Sequence, residues 1–365
     1  MNLSCLAVTS FSDLPETHLF IGLYRAGVRL VVMCPADAPN RHLLLEAGVP
    51  VVDLSLKGRY DRAGIAAIAK QIRMHKPDIL HAFNNKTVSN SLLASKGIPL
   101  KIIAYRGIVG NVSYWDPASW TTYLHPRVDV IVCVADAIRH YFHAMRFLGW
   151  PFPVRKARTI YKGHDPSWYM AQATDLSQFG VPDNAFVIGC TVNDRPRKGL
   201  EYLAKATYFL PVDVPIYWLL IGEIGNPKLS KLIAESPNAD KVKLLGFRRD
   251  APALIKSCDI CILPSIKREG LPKVIIEGMI QGVPAVVTNS GGSPELVEQG
   301  VSGLIIPPKS PEAIAEAVMK LYEHPQGTAK MKFAAKQRII QHFNVADTIS
   351  QHLVLYQELA AGNGR

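Results

Sequence analysis

The sequence predicts an α/β protein of two domains, each a parallel sheet with crossover helices. Short β-branched runs alternate with longer amphipathic stretches along the whole chain. The alternation restarts at Phe186, after a hinge between about 160 and 182. At 365 residues the chain is also too long for one typical domain and suits two.

Strands are expected at Leu3–Thr9, Arg29–Cys34, Val51–Leu54, Ile79–Ala82, Lys101–Tyr105, Val130–Val134 and Arg158–Ile160. Helices fill the gaps, for example His18–Ala26, Gly64–His75 and a segment opening at Asp136. The second half continues with strands Phe186–Thr191, Pro215–Gly222, Lys241–Leu245, Ile260–Leu263, Ala285–Thr288 and Gly303–Ile306. Its helices are expected at Gly199–Phe209, Ala251–Ser257, Pro272–Gln281, Pro294–Gln299 and Pro311–Tyr322. This gives a first domain over 1–170, a second over 171–345 and a last helix within 346–365.

Composition excludes several classes. No run approaches the roughly 18 apolar residues of a membrane span, and the start MNLSCLAVTS lacks the basic leader of a secretory signal. Six cysteines lie mostly inside apolar runs, and one CxxC, Cys258 and Cys261, is weak evidence for zinc. They read as core cysteines in a reducing compartment, which places the protein in the cytoplasm. The net charge of +11 is uneven: residues 1–165 hold 20 Lys/Arg against 11 Asp/Glu, while the rest is nearly balanced. A basic first half suits an anionic partner there, such as a phosphorylated substrate, anionic lipid or nucleic acid.

The usual nucleotide fingerprints are missing. No GxGxxG follows either first strand, where the first loop reads TSFSDLPETH, and GxxxxGK[ST] and GxSxG are also absent. Three loops that follow strands of the second half carry chemistry instead: NDRPRKG at Asn193–Gly199, PSIKREGLP at 264–272 and NSGGSPE at 289–295. Each runs into a helix, whose free N–H groups suit phosphate, and Arg197 and Lys198 add cations for a diphosphate. Glu277 sits mid-helix among Val274, Ile275, Ile276 and Met279, where a carboxylate needs donors such as a ribose diol. Glu269 precedes that helix, placed to bond the hydroxyls of another sugar, and the Gly270-Leu271-Pro272 turn offers amides.

Glu269 and Glu277 in E-x7-E spacing, Gly270-Leu271-Pro272 and the following GVPAVVTNSGGSPELVEQGVSGLIIPP closely resemble retaining glycosyltransferases of the GT-B fold, family 4. The resemblance implies two Rossmann-like domains facing across a cleft, with a C-terminal helix packed back on the first. It implies Glu269, Lys198 and Arg197 as catalytic residues, and Asn193, Gly270, Leu271, Pro272 and Glu277 as donor-binding residues. The substrate would be a nucleotide sugar; no DxD occurs, so neither a metal nor another cofactor is implied.

The first half departs from the family pattern. The first loop lacks its glycines, Phe83 stands where a histidine is often found, and Lys162 replaces the asparagine of the hinge in Lys162-Gly163-His164-Asp165. Asn193 stands where many members carry arginine. The Phe-Asn-x-Lys run and the Arg-Lys-Gly turn are similar to lipopolysaccharide-core glucosyltransferases. That similarity implies an anionic glycolipid or saccharide acceptor, with peripheral contact at the inner face of an anionic membrane. Acceptor-side candidates are Asn84, Lys86 and Arg106, within a basic and aromatic region that includes Tyr105, Asn111, Trp115, Trp120 and Arg127. Two rivals stay open: a nucleotide-sugar epimerase of the same fold, and a nucleic-acid-binding protein. The second leaves the acids unexplained and lacks a basic-aromatic surface in the second domain, so no nucleic-acid partner is expected.

Overall fold

The computed structural model describes residues 3–362 and divides the chain into two units. One takes the chain up to Gly163 and resumes at Phe343; the other is His164–His342. The first boundary therefore falls at Gly163 rather than 170, and the return at Phe343 rather than 346. Local bonding explains both. The Gly163 amide donates to Thr348 Oγ1 at 2.9 Å, Thr348 Oγ1 donates to the Tyr161 carbonyl at 2.8 Å, and the rings of Tyr161 and Phe343 meet edge-on at 4.9 Å.

The first unit holds strands β1 Ser4–Val8, β2 Arg29–Cys34, β3 Val51–Asp53, β4 Ile79–Ala82, β5 Lys101–Arg106 and β6 Val130–Cys133. A small hairpin follows, β7 Arg146–Phe147 and β8 Trp150–Pro151, then β9 Ala157–Thr159. Apart from the hairpin these form one parallel sheet in the order β3-β2-β1-β4-β5-β6-β9. Its helices are α1 Leu14–Arg25, α2 Arg41–Glu46, α3 Arg62–His75, α4 Asn85–Ala94, α5 Pro117–Trp120 and α6 Asp136–Ala144.

The second unit holds β10 Phe186–Thr191, β11 Ile216–Ile221, β12 Val242–Leu244, β13 Ile260–Leu263, β14 Ala285–Thr288 and β15 Gly303–Ile306, all parallel, in the order β12-β11-β10-β13-β14-β15. Its helices are α7 Leu200–Ala206, α8 Pro227–Ala234, α9 Ala251–Lys256, α10 Lys273–Ile280, α11 Ser293–Leu296, α12 Pro311–Glu323 and α13 Pro325–His342. The last helix, α14 Val345–Ala361, belongs to the first unit and packs on α1.

Strands covered on both faces must be apolar throughout, which is why β1, β4, β6, β13 and β14 are buried along their whole length. In each sheet the order reverses once, between β1 and β4 and between β10 and β13. Ligands of open α/β sheets bind beyond the strand ends at such a switch point. The loops after β1 and β4, and after β10 and β13, are therefore the places to look.

Helix α1 starts at Leu14, four residues earlier than the periodicity places it. Asp13 caps it by accepting from the Glu16 amide at 3.1 Å, and Ser12 takes a left-handed φ of 50° in place of a glycine. Helix α10 begins at Lys273, with Pro272 as its cap and not its first residue. Among the described residues no helix is long and apolar enough to cross a membrane.

Candidate functional site

At the switch point of the second unit, the loops after β10 and β13 are tied together. The Ile266 amide donates to the Arg197 carbonyl at 2.8 Å. Gly199 ends the RPRK turn with φ 73°, and a Cβ there would stand 2.0 Å from the Pro264 carbonyl oxygen. Only glycine fits both the backbone angle and the space.

This lashing delivers the predicted cations to the predicted acid. Glu269 is only 5% exposed, and its Oε1 accepts from Lys198 Nζ at 2.7 Å and Ser265 Oγ at 2.6 Å, with Arg197 at 3.6 Å. A third loop closes on the same residue: a Cβ on Gly291 would lie 2.1 Å from the Glu269 carbonyl oxygen, and the Gly292 amide donates to that oxygen at 3.3 Å. The preceding Arg268 sits at φ 65°, a strained angle for a residue with a side chain.

Open donors surround the cluster. The amides of Lys273 and Val274, in the first turn of α10, and those of Gly270 and Leu271 just before its cap find no acceptor among the described residues. The hydroxyls of Ser290 and Ser293, on the loop that closes on Glu269, are buried without a partner among the described residues. Such orphans in a buried site ask for a ligand or ordered water. Ser265 escaped the sequence reading, because a serine at a strand end carries no signal until its neighbour Glu269 is known to be buried.

Glu277 stands apart from this cluster. Its side chain is 16% exposed and pairs with Lys273 one helical turn back, at 3.1 Å. Burial raises its pKa above the ordinary carboxylate value, against the pull of Lys273. Asn193 is exposed and shapes the turn, its carbonyl accepting from the Arg195 amide at 2.8 Å. A groove of about 660 Å³ between α7 and α8 shares Asp194, Arg195 and Pro196 with this loop, but none of Arg197, Lys198 or Glu269 lines it. Its Lys205 and Lys231 are paired with Glu201 and Glu235, while Arg195 and Lys228 on its wall make no ion pair among the described residues.

At the switch point of the first unit, Asn84 caps α4: its Oδ1 accepts from the amides of Lys86 and Thr87 at 3.1 and 3.2 Å, and its Nδ2 donates to Ser10 Oγ across the switch. Lys86 Nζ donates to the Leu56 carbonyl at 3.1 Å. Arg106 is buried, with its guanidinium bonded to the carbonyls of Ile108 and Gly110 and to Asn85 Oδ1, over the Tyr123 ring. Arg127 is likewise engaged, holding the carbonyls of Ser95 and Ile98 at the end of α4.

Beneath these loops a small cavity of about 10 Å³ is lined by Glu16, Phe83, Tyr105, Lys162 and His352 among others. Lys162, the residue in place of the family's asparagine, pairs with Asp13. Burial opposes its charge, but Tyr105, Asp13 and Glu16 outweigh that and raise its pKa. His81 Nδ1 meets the Tyr356 hydroxyl at 2.7 Å and its ring stacks on His352 at 5.6 Å.

This cavity gives stability a pH dependence. Burial lowers the His352 pKa from 6.5 to about 4, and that of His81 downward too. Between those values the unfolded chain binds protons that the folded chain refuses, so this stability is full above 6.5 and is lost as pH falls toward 4. Glu16 acts oppositely: burial lifts it from 4.5 to about 7, so its contribution is full below 4.5 and is lost as pH rises through 7. Glu277, which burial also raises, acts in the same sense as Glu16. Relative to the wild type, His352→Phe is expected to lose less melting temperature as pH falls from 6.5 to 4. An equally steep fall in the variant would contradict the assignment.

Two family models match the chain, "Glycosyltransferase Family 4" over residues 17–168 and "Glycosyl transferases group 1" over residues 172–338. The Erwinia amylovora amylovoran biosynthesis glycosyltransferase AmsK is 31% identical over 173 residues, 45% of this chain and 41% of that protein, less than half of its length. The Escherichia coli UDP-Gal:alpha-D-GlcNAc-diphosphoundecaprenol alpha-1,3-galactosyltransferase is 23% identical over 338 residues, 85% of this chain and 83% of that protein. In fold the chain is similar to Anabaena HepE, solved in complex with UDP, with a TM-score of 0.77 over 98% of this chain and 100% of that one at 23% identity. The two family models meet between residues 168 and 172, a few residues past the unit boundary, and together span most of the sequence: the chain is a GT-B protein and belongs to the group 1 glycosyl transferases.

Proposed function

We propose that the protein moves a hexose from a nucleotide diphosphate sugar to a hydroxyl of a saccharide or glycolipid acceptor, with retention at the anomeric carbon. The product would enter lipopolysaccharide or another cell-envelope glycan, assembled on the cytoplasmic side. The observation that carries this reading is the buried Glu269, gripped by Lys198 and Ser265 beside Arg197 and the open amides at and just before the start of α10. A buried carboxylate suits sugar hydroxyls, and two cations with free amides suit a diphosphate. The names of the similar proteins agree, one with a UDP-galactose donor and a lipid-diphosphate acceptor, another with bound UDP.

In this reading the donor's diphosphate takes over Lys198 and Arg197, and Glu269 is released to the transferred sugar. Glu277 holds the ribose, and Gly270, Leu271 and Pro272 with Asn193 frame the donor. Cleavage of the anomeric C–O bond leaves its electron pair on the diphosphate, where the cations stabilise the growing charge. The acceptor oxygen attacks from the same face and passes its proton to the departing phosphate oxygen. Neither a metal nor a protein base is required by that sequence of events, and Phe83 can stand where the family often has histidine. Asn84 and Lys86 sit at the acceptor-side switch point; Arg106 supports them from below by holding Asn85.

The test is the stereochemistry of the product formed with a saccharide acceptor, followed by proton NMR from the first turnovers. Retention of the donor's anomeric configuration supports the reading, and inversion overturns the same-face mechanism. Turnover of the nucleotide sugar to an epimer without any acceptor would replace the transferase by an epimerase.

A further inference from the structure

The β7–β8 hairpin is built in a way that folding alone does not explain. Its strands are joined by two residues, Leu148 and Gly149, with φ of 48° and 88°. A turn with both angles positive prefers Asn-Gly, because a branched side chain in the left-handed region is strained. The strained residue here is a leucine that is 73% exposed, so it recovers nothing by burial. Trp150 beside it is 77% exposed, and Trp115 75%.

The hairpin is nevertheless held firmly. Phe147 packs its ring against Tyr114, Trp115 and Trp120 at 5.1, 6.0 and 5.7 Å, and Phe152 is buried against Phe142 at 5.3 Å. A packed aromatic base thus presents an exposed apolar tip. Along the hairpin and its flanks basic residues predominate, with Asp129 acting on Lys156. From Ala137 to Ile160 the chain carries five Arg/Lys and no Asp/Glu. Arg139 and Arg158 are paired with Asp136 and Glu358, while Arg146, Arg155 and Lys156 make no ion pair among the described residues. The neighbouring Asp116 is occupied as the cap of α5 and by Ser119.

We infer that this hairpin, with Leu148 and Trp150 at its tip and Arg146, Arg155 and Lys156 at its flank, docks the protein on an anionic lipid bilayer. Leucine and tryptophan at an exposed tip suit the boundary between headgroups and acyl chains. Each basic residue near an anionic surface adds attraction that salt weakens. The strain at Leu148 is then the cost of placing an aliphatic side chain at the leading point. A second copy fits less well, since it would carry the same positive charge. The sequence alone implied contact with such a membrane but named no surface for it.

The experiment is cosedimentation of the full chain with vesicles of phosphatidylcholine, alone or mixed with phosphatidylglycerol. The expected result is binding to the mixed vesicles only, weakened by salt and accompanied by a blue shift of tryptophan emission. The double variant Leu148→Asn, Trp150→Ser should lower the partition at least about tenfold, since burying even one such side chain is worth that factor. Its melting temperature should be unchanged or higher, because asparagine accepts the turn. Arg155→Glu with Lys156→Glu should abolish the preference for anionic vesicles. The inference is overturned if the wild type leaves both vesicle types unbound, or if the double variant binds as well as the wild type. A concentration-dependent dimer that the double variant dissolves would assign the tip to a second copy instead. None of these outcomes depends on the donor site, which is read separately by nucleotide-sugar binding.

Discussion

Lys198→Ala is expected to lower transfer by at least about 10²–10³-fold, the usual cost of removing one preorganised group that stabilises transition-state charge. Two effects combine. In the proposed reading the departing diphosphate loses a cation, and Glu269, only 5% exposed, keeps Ser265 and the more distant Arg197 as partners. Glu269→Ala is expected to be as damaging to transfer, and it also strips a partly buried lysine of its partner. Breaking a buried pair from one side costs about 3–5 kcal/mol, so its melting temperature must be measured beside its activity. Glu269→Gln keeps the shape and an oxygen for Lys198 and serves as the control for folding. Near wild-type turnover in Lys198→Ala or Glu269→Ala would remove both residues from the chemistry.

Gly199→Ala is expected to cost roughly 2–4 kcal/mol, more than most single substitutions, because two mechanisms coincide. Alanine at φ 73° is strained, and its Cβ would lie 2.0 Å from the Pro264 carbonyl oxygen, a backbone atom on the strand-end loop. Relief requires the loop after β10 to move away from the loop after β13, carrying Arg197 and Lys198 with it. The variant should therefore lose both melting temperature and turnover, the latter even where it remains folded. Unfolding curves and single-turnover rates check the two parts. Full activity with an unchanged melting temperature would mean that the loops are not tied as described.

The parallel sheets were legible because strands buried on both faces leave unbroken apolar runs; β10, β13 and β14 fall where the sequence puts them. The helices were less so. Helix α13 is polar over most of its surface and gives little periodic signal, and α4 opens on Asn85-Lys86, which reads equally well as a loop. The two-residue hairpin after α6 is hidden because its turn is Leu-Gly and not Asn-Gly. In the candidate site, residue type and spacing pointed to Arg197, Lys198 and Glu269, and the structure brings them together. What sequence cannot show is which partner a charge chooses. Glu277 turns to Lys273, and Arg106, read as reaching for an acceptor, is used up on carbonyls and Asn85. Lys162 was visible as a departure at the hinge, but its pairing with Asp13 requires the fold.

The central claim is that Lys198 and Arg197 beside Glu269 form the grip on a nucleotide diphosphate sugar. The most direct measurement is a thermal-shift panel of UDP-, GDP- and ADP-sugars on the wild type and on Lys198→Ala, since only a ligand of the folded state raises the melting temperature. One nucleotide sugar is expected to raise it in the wild type, and Lys198→Ala to lose most of the shift. No shift with any of them, or an equal shift in the variant, would contradict the claim.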